Sequence, residues 1–308
     1  VAVSMRMALP SSEADAPRDR LFNIRSEMVA RFEAAGFPIK YHHHELGGPG
    51  QCEIEPYFNP LLRAADCIAV GKYIIQNTAR DFGCTATFMP KPMEGVPGSG
   101  MHFHQYLEKE GKSLFYDRNG YACLSRTALS YLGGLLKHTP ALMAITNPGT
   151  NSYRRFGVGM AAPMNLFFSE SNRSSSLRIP AYSKNETENR IEYRLPDGSC
   201  NPYLAMAAQL MAGLDGVRSG IDPSVEGFGP FDVNNYTLSE EDKAKMSKTP
   251  TSLPETLEAL RADNGFLKHG GVFPDEVIDT WIKLKIETEL APLSKRPHPF
   301  EYELYFDL

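Results

Sequence analysis

The sequence predicts an α+β fold, and two features of its patterning carry that prediction. Stretches with an apolar residue every three or four positions lie beside short apolar–polar alternations, and several alternations follow one another with no helix between them. Composition agrees: of 308 residues, 42% are hydrophobic and 22% charged, which is globular and excludes disorder, collagen and coiled coil. At about 150 residues per domain the length alone favours two domains, although one large domain is common.

The elements follow in chain order. Residues 1–20, with the polar, Pro-containing run PSSEADAPRDR, read as an arm, loop or remnant. Ile24, Met28 and Phe32 fall four apart on one helical face over residues 20–35, and Gly36 ends that helix. Residues 38–45 and 51–55 read as strands flanking the turn-rich LGGPG. A helix over residues 60–82 turns Leu61, Ala65, Ile68 and Ile75 inward. MPKPMEGVPGSG is a loop and MHFHQYL a strand. Helical spacing returns over residues 124–144, followed by the Gly-rich loop TNPGTNSYRRFGVG. Residues 165–169, 175–180 and 190–195 read as strands, and 202–218, 240–246, 254–262 and 275–290 as helices. The final FEYELYFDL alternates as a strand does.

Net charge is −5, which argues against a surface built to read nucleic-acid phosphates but allows a local arginine cluster for a small anion. The five cysteines stand singly without a C-x-x-C pair, no signal-peptide core opens the chain, and no stretch approaches 18 apolar residues. The expectation is a cytoplasmic protein with no membrane partner.

Side chains alternate faces along a strand, and three of these strands gather polar groups on one face. Gln51, Glu53 and Glu55 oppose Cys52 and Ile54; His102 and His104 oppose Met101 and Phe103; Arg190, Glu192 and Arg194 oppose Ile191, Tyr193 and Leu195. Three such strands predict a sheet whose open face lines a polar cleft. The donors there are Glu45, Glu53, Glu192 and His102, with Arg155, Arg173, Arg178, Arg190 and Arg194 nearby in sequence. Carboxylates with an imidazole suit Mg2+ or Mn2+, and arginine forks suit carboxylate and phosphate oxygens. Together they are the parts that phosphoryl transfer needs. No P-loop and no G-x-S-x-G elbow occurs, and GVPGSG lacks the order of a dinucleotide turn. Adjacent histidines on a strand face alternately, so His42, His43 and His44 cannot share one ion and read as structural, one or two of them buried.

The strings HHHE, GQCEIE, FMPKP, GSGMHFHQ, TNPGTNSYRR, NRSSSLRIP, RIEYRLPD and NPYLAMAAQLMAGLDG resemble, in order and spacing, those of the glutamine synthetase family. The resemblance implies an α+β catalytic domain over residues 21–308, with an antiparallel sheet forming a funnel-shaped cleft flanked by helices. It implies ATP entering one end, glutamate the other, and two divalent ions between. By position, Glu45 and Glu53 match ligands of the first ion, and His102 and Glu192 ligands of the second. Phe58, His104, Arg178 and Arg190 match nucleotide-site positions. Gly98, Arg155 and Arg194 match positions around glutamate, and Arg173, Arg178 and Arg194 the catalytic arginines. The implied reaction phosphorylates the γ-carboxylate of glutamate from ATP with Mg2+ or Mn2+, then condenses the acyl phosphate with ammonia or a small primary amine. The implied assembly is a homododecamer of two hexameric rings.

Three departures from the family pattern qualify these expectations. Ala161 stands where the family carries a flap glutamate that closes over glutamate and deprotonates ammonium, which raises an alkylamine or polyamine as acceptor. Pro97 replaces the asparagine that usually precedes Gly98. The family's upstream E-x-E strand and N-terminal β-grasp domain have no counterpart, so the chain reads as a catalytic domain expected to hold most of a site and to be inactive alone. Tyr236, where some bacterial members are adenylylated, reads as an ordinary exposed tyrosine. A non-catalytic oligomeric homologue and a kinase acting without an amine are the competing readings.

Overall fold

A computed structural model describes residues 2–5, 19–45, 47, 50–156, 162–232 and 246–308. Two four-stranded sheets carry the polar faces. In the first, β1 (Ala2–Met5), β2 (Ile39–His44), β3 (Gln51–Pro56) and β4 (Ala86–Thr87) pair in the order β2-β3-β1-β4. In the second, β5 (Phe103–Gln105), β8 (Phe168–Glu170), β9 (Leu177–Ile179) and β10 (Ile191–Tyr193) pair in the order β5-β10-β9-β8. Between β5 and β8 in sequence, β6 (Glu108–Lys109) and β7 (Lys112–Ser113) form a small hairpin.

Helix α1 (Phe22–Ala34) buries the expected face of Ile24, Met28 and Phe32, and Gly36, at φ +82°, turns the chain out of it. Cys52 and Ile54 of β3 enter the same core, together with Ile75 of α2 (Leu61–Asp81). The apolar half of the β3 alternation thus faces α1 and α2, leaving the acidic half on the other side.

The larger core lies under the second sheet. Ile191, Tyr193 and Leu195 pack there with Leu177, Ile179, Leu135 and Leu142. Helix α3 (Arg126–Thr146), capped by the Ser125 hydroxyl on the Ala128 N–H, is buried almost all round. Helix α4 (Pro202–Ser219) has the full set of boundary signals: Asn201 accepts from the Tyr203 and Leu204 N–H groups, Pro202 takes the first turn, and Gly220 closes it at φ +62°. The two helices cross closely at Gly134 and Gly216, where a Cβ on either would fall 2.1–2.2 Å from a carbonyl oxygen of the other helix.

The structure corrects several expectations. Residues 2–5 form a strand between β3 and β4 instead of an arm. The polar strands belong to two sheets, and β8–β9 is parallel, so the pairing is not antiparallel throughout. MHFHQYL is extended in the sheet only at Phe103–Gln105, with His102 just before it. The predicted last helix is Asp275–Lys285 followed by a π turn, Ile286–Leu290. The C-terminal alternation is a helix, Pro299–Tyr305: the His298 ring accepts from the Phe300 N–H, Glu301 accepts from the His298 N–H, and Pro299 begins the first turn. Ala161, Tyr236 and all of the predicted helix over 240–246 except Met246 lie outside the described residues. Among the described residues no helix is long and apolar enough to cross a membrane, and all five cysteines are free.

Candidate active site

The second sheet builds a charged centre around Glu192. Register sets Glu192 on β10 directly opposite Arg178 on β9 and His104 on β5, so all three share a face. Arg194, two residues on, joins them. Its Nη1 donates to Glu192 Oε1 at 2.6 Å, Arg178 Nε lies 2.6 Å from Oε2, and His102 Nδ1 lies 3.1 Å from Oε1. The Glu192 side chain is 3% exposed. Burial by itself raises its carboxyl, but His102 and Arg194 outweigh that and hold it well below the usual carboxylate range. Burial, aided by the Arg194 charge, brings His102 down to about 4, so at neutral pH its imidazole keeps a lone pair. Among the described residues Arg194 Nε is buried with no hydrogen-bond partner, a donor that could serve an oxygen of a bound anion.

The first sheet supplies a second acidic group. His43 of β2 pairs in register with Glu53 of β3, and Glu45 follows β2. One ligand atom from each of the three lies within 4.8 Å of the others. Glu55, farther along β3, is engaged by Lys40 at 2.9 Å and by the Tyr41 hydroxyl, so it is not part of this group.

A glycine loop joins the two groups. Gln51 Nε2 donates to the Gly98 carbonyl at 3.2 Å and to Ser99 Oγ at 3.0 Å. A Cβ at Gly98 would lie 2.4 Å from the Pro90 carbonyl, and one at Gly100 would meet Arg155 Nη2 and His102 Nε2 at 2.9 Å. Arg155 is 2% exposed, and its terminal nitrogens donate to the carbonyls of Arg194, Leu195 and Pro196 at 2.7–3.1 Å. It therefore grips the chain just after Glu192 as well as lying beside the glycines.

The remaining site residues cluster at one end. Arg190 lies between two rings, its guanidinium 5.4 Å from the Phe58 centroid and 5.1 Å from that of Tyr182. Arg190 Nε donates to His104 Nδ1 at 3.3 Å, so the neutral His104 carries its proton on Nε2. Phe58 meets His104 edge-on at 6.5 Å and is about half exposed, an open apolar surface beside a fixed cation. Arg173 is exposed, and its charge acts on Arg194.

Of the residues expected from sequence, Glu192, His102, Arg178 and Arg194 make one group, Glu45 and Glu53 a second, and Phe58, His104 and Arg190 a third. Gly98 and Arg155 lie between the first two, and Arg173, exposed, is near enough to the first for its charge to act on Arg194. Sequence reasoning missed that His43 faces Glu45 and Glu53. It also missed Gln51 as a tie to the glycine loop and Tyr182 as the second ring on Arg190. The alternation of β2 placed His42 and His43 on opposite faces, and His42 accordingly accepts from Arg25 Nε at 3.2 Å. None of the three histidines is fully buried. His43, Glu45 and Glu53 fit a divalent cation chemically, offering two carboxylates and an imidazole, while Glu192 and His102 offer one of each, with the Glu192 oxygens also engaged by Arg178 and Arg194.

Comparison with known proteins places the chain in a family. The family model "Glutamine synthetase, catalytic domain" matches residues 11–305. The glutamine synthetase of Streptomyces filamentosus is 50% identical over 292 residues, covering 95% of this chain and 61% of that protein. The chain thus spans about three fifths of the length of the curated relatives it matches. The Plasmodium falciparum glutamine synthetase structure superposes at a TM-score of 0.84 with 30% identity, over 95% of this chain and 63% of that one. GmaS without ligand gives 0.83 with 30% identity, over the whole of this chain and 71% of its own. With the family model matching nearly its whole length, the chain belongs to the glutamine synthetase catalytic-domain family.

Proposed function

We propose that the full-length protein carrying this chain is an ATP-dependent ligase that joins the γ-carboxylate of glutamate to ammonia or a small primary amine, forming ADP and phosphate. The observation that carries this reading is the buried Glu192 held by Arg178, Arg194 and His102, with a second carboxylate group linked to it through Gln51 and Gly98. Two anions, a carboxylate and a triphosphate, must meet in this reaction, and the cleft is built to offset their repulsion.

Glu45 and Glu53 would hold one Mg2+ or Mn2+, and His102 and Glu192 another. When bound, such ions neutralise phosphate oxygens and fix their geometry. The chain's own groups do the rest. Phe58 offers a stacking surface, Arg190 a fixed cation and His104 Nε2–H a donor for the nucleotide. In this reading Arg178 and Arg194, paired with Glu192, stabilise the γ-phosphate and the γ-carboxylate as they meet, Arg173 adds a further positive charge, and the Gly98–Gly100 loop beside Arg155 and His102 takes the amino acid. The carboxylate oxygen attacks the γ-phosphorus as the bond to ADP breaks. The amine nitrogen then attacks the acyl carbon, loses a proton, and phosphate leaves with the oxygen that attacked.

The alkylamine branch rests on Ala161, since a methyl group can neither deprotonate ammonium nor fill the space of a glutamate. Assembly into a homododecamer of two hexameric rings is supported by the C-terminal helix, which leaves Phe300, Tyr302, Leu304 and Tyr305 about half exposed or more. A cytoplasmic location is supported by the free cysteines.

Phosphate release by the full-length protein with ATP, Mg2+, glutamate and a panel of amines tests the reading. Glutamate- and amine-dependent release is expected. Turnover with ammonia but no alkylamine excludes the alkylamine branch. Absence of nucleotide binding and of turnover with every amine makes the protein a non-catalytic homologue, and a stable phosphorylated product without amine makes it a kinase.

A further inference from the structure

Neither the sequence patterning nor the family resemblance gives His43 a part in the chemistry, yet its ring is held as a metal ligand's would be. His43 Nδ1 lies 2.9 Å from the His44 carbonyl oxygen. A carbonyl only accepts, so the proton is on Nδ1 and the lone pair on Nε2. That Nε2 lies 3.9 Å from Glu53 Oε2. In this tautomer both atoms are lone-pair donors and cannot bond each other. Two ligands with bonds of about 2.1 Å to one ion can stand as far as about 4.2 Å apart, so the separation fits a shared cation. The Tyr41 ring, stacked on His43 at 5.7 Å with 30° between planes, restrains the imidazole, and Tyr41 is itself tied to Glu55. A metal-bound histidine typically donates its other ring N–H to a carbonyl in this way.

We propose that His43 is a ligand, through Nε2, of the divalent cation held by Glu45 and Glu53, and that it favours Mn2+ over Mg2+ at that position. The proposal rests on the ligase reading for the identity of the site but is tested separately from it. Imidazole strengthens binding of transition-series ions far more than of Mg2+, which prefers oxygen. The carboxylates alone would not discriminate in this way.

The test is Mn2+ and Mg2+ titration of the full-length protein without nucleotide, with pulsed EPR of the bound Mn2+ for imidazole nitrogen couplings. His43→Asn should weaken Mn2+ binding at one position about ten-fold or more while changing Mg2+ affinity much less. His102→Asn removes the other candidate imidazole and should retain a nitrogen coupling, whether or not the His43 variant folds. Unchanged Mn2+ affinity in the His43 variant, or no nitrogen coupling in the His102 variant, overturns the proposal. If either occurs while the wild-type protein still shows amine-dependent ATP cleavage, the ligase reading stands without it. A nitrogen coupling in the His102 variant with no ATP cleavage by the wild type would instead support the ligand and remove the ligase.

Discussion

The two carboxylate groups of the cleft are built on opposite principles. Glu192 is 3% exposed, and the protein itself supplies the positive charge around it through Arg178 and Arg194. Glu45 and Glu53 are 30% and 28% exposed and face an imidazole. One group is a balanced, buried network whose loss is felt by the fold. The other is an open donor set at a sheet surface, where ligation matters more than stability. A site for phosphoryl transfer needs both: a preorganised field that does not reorganise, and positions that cations enter and leave with substrate.

The largest effect should come from Glu192→Gln. It leaves two guanidinium groups facing a neutral amide in a buried place, a loss of about 3–5 kcal/mol of metal-free stability, read from urea denaturation. The same variant should flatten the acid limb of the stability curve. Because the folded carboxyl is depressed, its contribution is complete above the ordinary carboxylate range near pH 4.5 and is lost as pH falls through the lower folded value. Denaturation midpoints from pH 6 to pH 2 check this, and an unchanged slope would show that Glu192 is not the titrating partner.

Arg155→Met comes next. Its guanidinium serves three backbone carbonyls, and leaving them without donors should cost about 2–4 kcal/mol, again by urea denaturation. Glutamate affinity should fall as well, because Gly98 and Gly100 pack on that side chain.

Glu53→Gln should have the smallest effect on the fold, within about 0.5 kcal/mol of wild type without metal. It should nevertheless abolish much of the thermal stabilisation by Mn2+ and most of the turnover. A metal-free destabilisation matching that of Glu192→Gln would erase the distinction between the two groups.

Much of this site was legible because it is local. Alternation along β3 and β10 assigns Glu53 and Glu192 to a polar face from sequence alone, and the structure puts Cys52, Ile54, Ile191 and Tyr193 in the cores. What was not legible depends on pairing between distant segments. His43 faces Glu53 only through the β2–β3 register, which shifts between Ile39 and Tyr41, so three successive histidines gave no phase by themselves. The division into two sheets and the parallel β8–β9 pair are likewise long-range facts. Tyr182 reaches Arg190 from a loop, where no periodicity announces it. At the C-terminus the alternation of Phe300, Tyr302, Leu304 and Phe306 imitated a strand, but the His298–Glu301 cap and Pro299 start a helix.

The measurement that bears most directly on the account is the fate of a carboxylate oxygen. Glutamate labelled with heavy oxygen in its γ-carboxyl, given to the full-length protein with ATP, divalent metal and an accepted amine, should yield inorganic phosphate carrying one labelled oxygen per amide formed. That transfer requires an acyl phosphate, the intermediate proposed to form beside Arg178 and Arg194. Phosphate released without label, alongside amide product, would contradict the account.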